Sequence, residues 1–396
     1  MRIIISRSGT ISSLDLDNEV GGTINATGVL ILNTGNPIEN AGLMEATAGG
    51  DLILNTEAVT NTGTVEVADT GSKLELRGSS ITGGTVTNKG TFEADSGSNA
   101  IHDATITNSG SGAVLEATGA GVTLTIDQSS TVANTGLLEA INGGDLILNT
   151  VTVTNTGGTV EVADTGSKLE LQGASITGGT VTNNGTFEAD SGNTNAIHGA
   201  TVTNNAEATL EATGSGVSLI IDANSTVTNN GLLEATGGAI FTLATGNAIH
   251  NESLGVLEAT SGGTLVIQDN VQNDSGGQLK ALGGTIDVQG GGTITNDTAI
   301  NGIVVDSTGV LQFEVATLEL LGAGGVQLTG GTIQGTGSNT LDNDGNTIAG
   351  YGLITSLTLE NGDIAASTID ANVSGLGSWA GEASGSVCDG GTAPSN

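Results

Sequence analysis

Carboxylates are the residues of this chain with the most chemistry to offer. Glu93 and Asp95 stand two residues apart, and the same phrase returns as Glu188 and Asp190. In an extended segment such residues share a face, so each pair presents hard oxygen ligands suited to calcium. We therefore take Glu93, Asp95, Glu188 and Asp190 as candidate calcium ligands. They belong to a longer series of Glu45, Glu66, Glu93, Glu116, Glu139, Glu161, Glu188, Glu211, Glu234 and Glu258, with Lys280 next in line. Stacked about 4.8 Å apart, neighbouring carboxylates repel by roughly 1 kcal/mol per pair in water and titrate as a coupled set. The competing reading is a solvated acidic ridge that binds nothing.

Other chemistry is sparse. His102, His198 and His250 recur in one phrase, Asn-Ala-Ile-His, without a nearby cysteine or second histidine. They read as repeat decoration. Polysaccharide cleavage needs clustered acids and usually aromatic platforms. Here the acids recur evenly, and the chain has one Trp and one Tyr. No catalytic residue is assigned, although a β-helix polysaccharide lyase or hydrolase stays the alternative reading. Thr-x-Thr pairs raise the idea of a water-ordering array, but Ala133, Val59 and His250 interrupt it and Asn flanks every pair.

These side chains must be positioned by repeats. Val65–Leu76 returns unchanged as Val160–Leu171, Gly49–Thr56 as Gly143–Thr150 for eight residues, and Gly90–Gly97 as Gly185–Gly192. Inside that long unit a phrase of about 20–28 residues recurs, too short to bury a core alone and so obliged to stack on its neighbours. Three strand phrases follow in order: Thr-Val-Thr-Asn, apolar-Glu-Ala and Leu-x-Leu, separated by Gly-Gly and Asn-x-Gly turns. Alternation in Phe92-Glu93-Ala94 turns Phe92 and Ala94 inward and Glu93 outward. The expected fold is an all-β parallel β-helix, or β-solenoid, with about three short strands per coil. It is right-handed by the usual rule for parallel crossovers. An asparagine column of Asn61, Asn88, Asn108, Asn134, Asn155, Asn183, Asn204 and Asn229 reads as a structural ladder of stacked amides. Residues 1–20 form an N-terminal cap or edge, 21–300 the regular solenoid, 301–374 a divergent continuation and 375–396 a disordered tail.

Seven basic residues against 42 acidic ones give a net charge of −35. Such a surface repels phosphate backbones, so nucleic acid is excluded as a partner. Direct membrane insertion is excluded as well, because no run of about 20 apolar residues exists. The opening Met-Arg-Ile-Ile-Ile-Ser-Arg is too short an apolar run for a secretory signal. The single Cys388 allows no internal disulfide.

The phrases Gly136–Leu148, Gly231–Leu243 and Thr-Val-Thr-Asn-x-Gly resemble the strand repeats of large bacterial surface proteins. So do Leu341–Ile354 and Ile369–Ser374. The resemblance is to autotransporter-passenger and haemagglutinin-like adhesins and to type I-secreted repeat proteins of Gram-negative bacteria. It implies display outside the cell or on its surface, and adhesion or biofilm support. Implied partners are host or abiotic surfaces, surface glycans or other cells. The resemblance implies no cofactor, leaving calcium as the one candidate and a calcium-responsive extracellular repeat as a further alternative. Without a signal peptide, barrel or secretion signal, we read the chain as part of a longer or truncated protein.

Overall fold

The computed structural model describes residues 2–5, 9–362 and 367–370. The proposed tail, 375–396, lies outside them. All regular secondary structure among the described residues is β, in parallel strands stacked as a β-solenoid. The chain divides into two compact units, Met1–Val202 and Thr203–Asn396.

In the N-terminal unit each strand pairs in parallel, in register, with the strand three places along the chain. Three sheets result. Sheet A contains Leu43–Ala46, Thr64–Val67, Thr85–Asn88, Thr105–Asn108, Thr131–Asn134, Thr152–Thr154 and Ser175–Thr177. Sheet B contains Asp51–Asn55, Lys73–Arg77, Thr91–Ser96, Val114–Thr118, Leu137–Ile141 and Thr159–Val162. Sheet C contains Ser80–Thr82, Ser98–His102, Thr123–Asp127, Asp145–Asn149, Lys168–Gln172 and Thr186–Ser191. Strands alternate buried and partly exposed positions, with Phe92, Leu115, Leu138 and Phe187 essentially inaccessible. Fully burying such a side chain contributes about 1.5–3 kcal/mol.

The sequence repeat and the structural coil are different units. From Leu115 to Leu138 the apolar-Glu-Ala phrase advances three strands and stays in sheet B. From Val65 to Phe92 it advances four, because the short strand Ser80–Thr82 intervenes. The phrase therefore leaves sheet A for sheet B. Ser175–Thr177 repeats the step and carries it on to sheet C. The same four residues, Lys-Leu-Glu-Leu, thus lie in sheet B at Lys73–Leu76 and in sheet C at Lys168–Leu171. This corrects the single interior and single glutamate columns expected from sequence, since each column is broken at both four-strand steps.

Close stacking explains the Gly-Gly-x-Leu turns. A Cβ on Gly50 would sit 2.0 Å from the Ala26 carbonyl oxygen, and one on Gly144 would sit 2.2 Å from that of Ala117. Both positions need glycine for space.

The C-terminal unit follows the same plan, with Phe241 and Phe313 in its core. From Gly325 the strands lengthen. Gly325–Asn343 and Thr347–Asn361 each run around several sheet positions, and Thr368–Asp370 pairs with the start of the latter.

Two outcomes follow from this packing. Replacing Leu138 by Asp buries an unpaired charge and lowers the thermal midpoint steeply, by several kcal/mol of stability. Deleting Val114–Gly136 removes one strand from each sheet and lays Leu137–Ile141 on Thr91–Ser96, so a folded unit with unchanged circular dichroism per residue is expected. Deleting only Val114–Asp127 removes two strands and puts every later phrase against the wrong sheet; a clearly lower melting temperature distinguishes it.

Candidate functional site

The outward side chains of sheet B form the densest ionisable array. Register stacks Glu75 on Glu93, then Glu116, Glu139 and Glu161. Glu75 and Glu170 were absent from the series read from sequence because they sit inside Leu-x-Leu phrases. The signal for them was the charged middle residue of Lys-Leu-Glu-Leu. Glu45 and Glu66 belong to sheet A, and Glu170 and Glu188 to sheet C. In the C-terminal unit Glu211, Glu234 and Glu258 stack in turn, and Lys280 is next.

The ridge is less solvated than sequence suggests. Glu75 is 4 % exposed, Glu139 7 % and Glu93 9 %, because side chains of the adjacent coils cover them: glutamates on both sides of Glu93 and Glu139, and Ile53 and Glu93 beside Glu75. Basic residues occupy the place first given to calcium. Lys73 Nζ lies 2.6 Å from Glu75 and also contacts Glu93, while Arg77 pairs with Glu75 and, at 3.1 Å, with Asp95. Glu75, Glu93 and Asp95 bring carboxylate oxygens within 4.8 Å of one another. In the second copy Lys168 bridges Glu170 at 2.6 Å and Glu188 at 2.7 Å, with Gln172 where Arg77 stood. Asp190 there accepts from the Gln172 amide, at 3.5 Å.

Farther along sheet B the compensation ends. Burial first, then the neighbouring Glu139, raises the carboxyl of Glu116. Glu139 is raised by burial and by Glu161, against a hydrogen bond with Glu116 that opposes the rise. Glu93 is also raised by burial, despite Lys73. Asp51 and Asp145, on the same duplicated phrase, are pushed up to about 6 by burial and by Glu75 and Glu170 respectively, with Lys73 and Lys168 opposing. Asp69 and Asp164 go the other way. Partial desolvation is outweighed by donors from their own turns and the preceding coil, including the Ala48 amide at 2.7 Å and the Asn142 amide at 2.6 Å.

The asparagines lie inside. Asn88 donates Nδ2 to Asn108 Oδ1 at 2.8 Å, Asn108 to Asn134 at 2.7 Å and Asn134 to Asn155 at 2.7 Å. A shorter run joins Asn18, Asn40 and Asn61, and a longer one runs from Asn204 through Asn229, Asn251 and Asn273 to Asn296. Asn61 does not reach Asn88; its amide turns to the carbonyls of Gly83 and Thr85. Asn183 is buried and accepts from the Gly185 amide at 3.1 Å. The histidines fall on different sheets: His102 pairs with Asp127 in sheet C, whereas His198 closes the strand beside Ser175–Thr177 in sheet A. His250, in the C-terminal unit, stacks against Gln272.

Sheet A carries a third pattern. Thr85 and Thr87 stand beside Thr105 and Thr107, followed by Thr131 and Ala133. Thr152 with Thr154 and Ser175 with Thr177 complete it. Two of the three interruptions expected from sequence are not in this array. Val59 is an interior residue, and His250 belongs to the other unit. The asparagines that flank the pairs point inward.

No protein-family model and no curated protein matches the chain. It is similar to a solved structure described as the crystal structure of a TibC-catalyzed hyper-glycosylated TibA55-350 fragment. The TM-score is 0.30 and the identity 16%, over 94% of this chain and 98% of that one.

These carboxyl environments imply a pH dependence. Glu93, Glu116, Glu139, Asp51 and Asp145 hold protons more tightly folded than unfolded. Their contribution is full below the ordinary carboxylate values of about 3.9–4.3 and is lost as pH rises through the raised ones. Asp69 and Asp164 contribute above the ordinary aspartate value and lose that contribution as pH falls through their depressed ones. The melting temperature is expected to rise from pH 7.5 to about 5 and to fall again below about 3.9. Glu139→Gln, which removes one repelling charge, raises the midpoint at pH 7.5 and flattens the acid gain. A wild-type midpoint that drops steadily from pH 7.5 to 5 contradicts this assignment.

Proposed function

We propose that this chain is a structural and adhesive repeat module of a bacterial cell-surface or secreted protein, without catalytic residues. The observation that carries the reading is that outward positions repeat one residue type from coil to coil. Glutamates are spread along sheet B and threonines along sheet A, and among the described residues no acid, base and nucleophile converge on one spot. A repeating surface suits many weak contacts acting together, whose joint strength grows with the number engaged. Host or abiotic surfaces, surface glycans or other cells are the partners of this reading, and the extracellular side of a Gram-negative envelope its place. Lys73, Arg77 and Lys168 pair with Glu93, Asp95 and Glu188, three of the four carboxylates proposed for calcium, so the adhesive reading is framed without a cation.

Cells displaying the chain should attach to surfaces better than cells without it. Deleting Val114–Gly136 should lower attachment by a modest fraction, and each further in-phase coil deletion by a similar step. Glu116 and Glu139 stack in register without a basic partner among the described residues, and a glycosidase also works with two carboxyl groups. Incubation with pectin, alginate and similar polymers therefore completes the test. Depolymerisation abolished by Glu139→Gln would replace the adhesive reading with an enzymatic one, and an unchanged attachment between displaying and non-displaying cells would end it.

A further inference from the structure

We propose that the threonine face of sheet A binds ordered water, specifically the surface of an ice crystal. This goes beyond the adhesive reading and does not rest on it. The face spans five adjacent strands, from Thr85–Asn88 to Ser175–Thr177. Its outward positions are threonine or serine except for Ala133, and none is ionisable. That is unusual in a chain of net charge −35. Glu66 in the preceding strand and His198 in the following one mark its limits.

Three observations identify the ligand. The first is availability. Thr105, Thr131, Thr152, Thr154 and Thr177 are exposed, and their hydroxyls make no hydrogen bond to protein among the described residues. The second is regularity. Pairing across all five strands is free of register shifts, whereas sheet B slips at Leu76/Arg77 and sheet C at Leu171/Gln172. The third is spacing. Parallel strands repeat at about 4.8 Å. Tetrahedral water with O···O near 2.75 Å repeats at about 4.5 Å between second neighbours. The mismatch of about 0.3 Å per strand accumulates to about 1.2 Å over four intervals, less than half a period. Five strands can therefore stay in step with such a lattice.

Chemistry agrees with geometry. Threonine is stiff at χ1, so adsorption immobilises few rotors. Its hydroxyl donates and accepts, and can take a lattice position, while its methyl leaves the adjoining water to its own hydrogen bonds. Charges, whose hydration shells compete with a lattice, are kept off the outward positions of these five strands; on sheet A Glu45 and Glu66 lie in the strands before them. A neutral polysaccharide is the other uncharged periodic occupant. It is disfavoured because the face has no aromatic ring on which a sugar could stack.

The test uses the purified full chain and needs no cells, so its outcome is separable from adhesion. Freezing-point hysteresis and inhibition of ice recrystallisation are measured by nanolitre osmometry and splat cooling. Wild type should show both, and Thr131→Lys with Thr152→Lys should lose most of each. Thr152→Val keeps the shape and removes one hydroxyl, so a partial loss is expected there. Ala133→Thr fills the one gap and should increase the effect. Thr242→Lys, on an outward position of the C-terminal unit, should change nothing. Melting temperatures within a few degrees of wild type establish that each variant is folded. Absence of hysteresis in the folded wild type, loss that is equal for Thr242→Lys and the sheet A variants, or adsorption to cellulose or chitin in place of ice would each overturn the proposal.

Discussion

In-register parallel pairing places every outward side chain about 4.8 Å from the corresponding residue of the next coil. Each residue type must therefore tolerate its own kind as a neighbour. Asparagine does so by donating from one end of its amide and accepting at the other, and it can be wholly buried. Its carbonyl oxygen also receives the amide two residues on, as Gly90 N to Asn88 Oδ1 at 3.1 Å, which ties the ladder to the turn. Threonine needs no compensation. Glutamate cannot stack without help, so Lys73, Arg77 and Lys168 are inserted beside Glu75, Glu93 and Glu170, and farther along sheet B Glu116 and Glu139 hold their protons more tightly.

The core is narrow for the same reason. Each coil contributes a few inward aliphatic side chains, with Phe92, Phe187, Phe241 and Phe313 as occasional large members. No coil is stable alone, and backbone hydrogen bonds run almost entirely between coils. Glycine at Gly50 and Gly144 lets the turns approach as closely as the strands do, keeping turn and sheet spacing equal.

Strand existence was legible in the sequence to the residue in several places. Thr85–Asn88, Thr105–Asn108 and Thr180–Asn183 are strands as the repeated phrase implies. Which residues face inward was legible too, because period-two alternation is a local property. What lay beyond reach was which sheet a phrase occupies. That depends on counting strands between copies, and Ser80–Thr82 looks like part of a turn when read between Gly78 and Gly84. The miscount joined Glu66 to Glu93 and Asn61 to Asn88. It also hid the continuity of the threonine face, because residues of different sheets were aligned as one column. The lysine bridges were missed for a related reason: Lys73 meets Glu93 only across coils.

The extra strands Ser80–Thr82 and Ser175–Thr177 act as phase shifters. Each one hands the glutamate, asparagine and threonine phrases on by one sheet, so a block of sequence can be duplicated without prolonging its stripe on the same side. Stripe length and orientation are then heritable separately. A duplication that carries the short strand turns a chemistry toward a new direction, whereas one that omits it lengthens the stripe in place. One small strand lets the same vocabulary of phrases build either a long single-sided surface or one that is displayed all around.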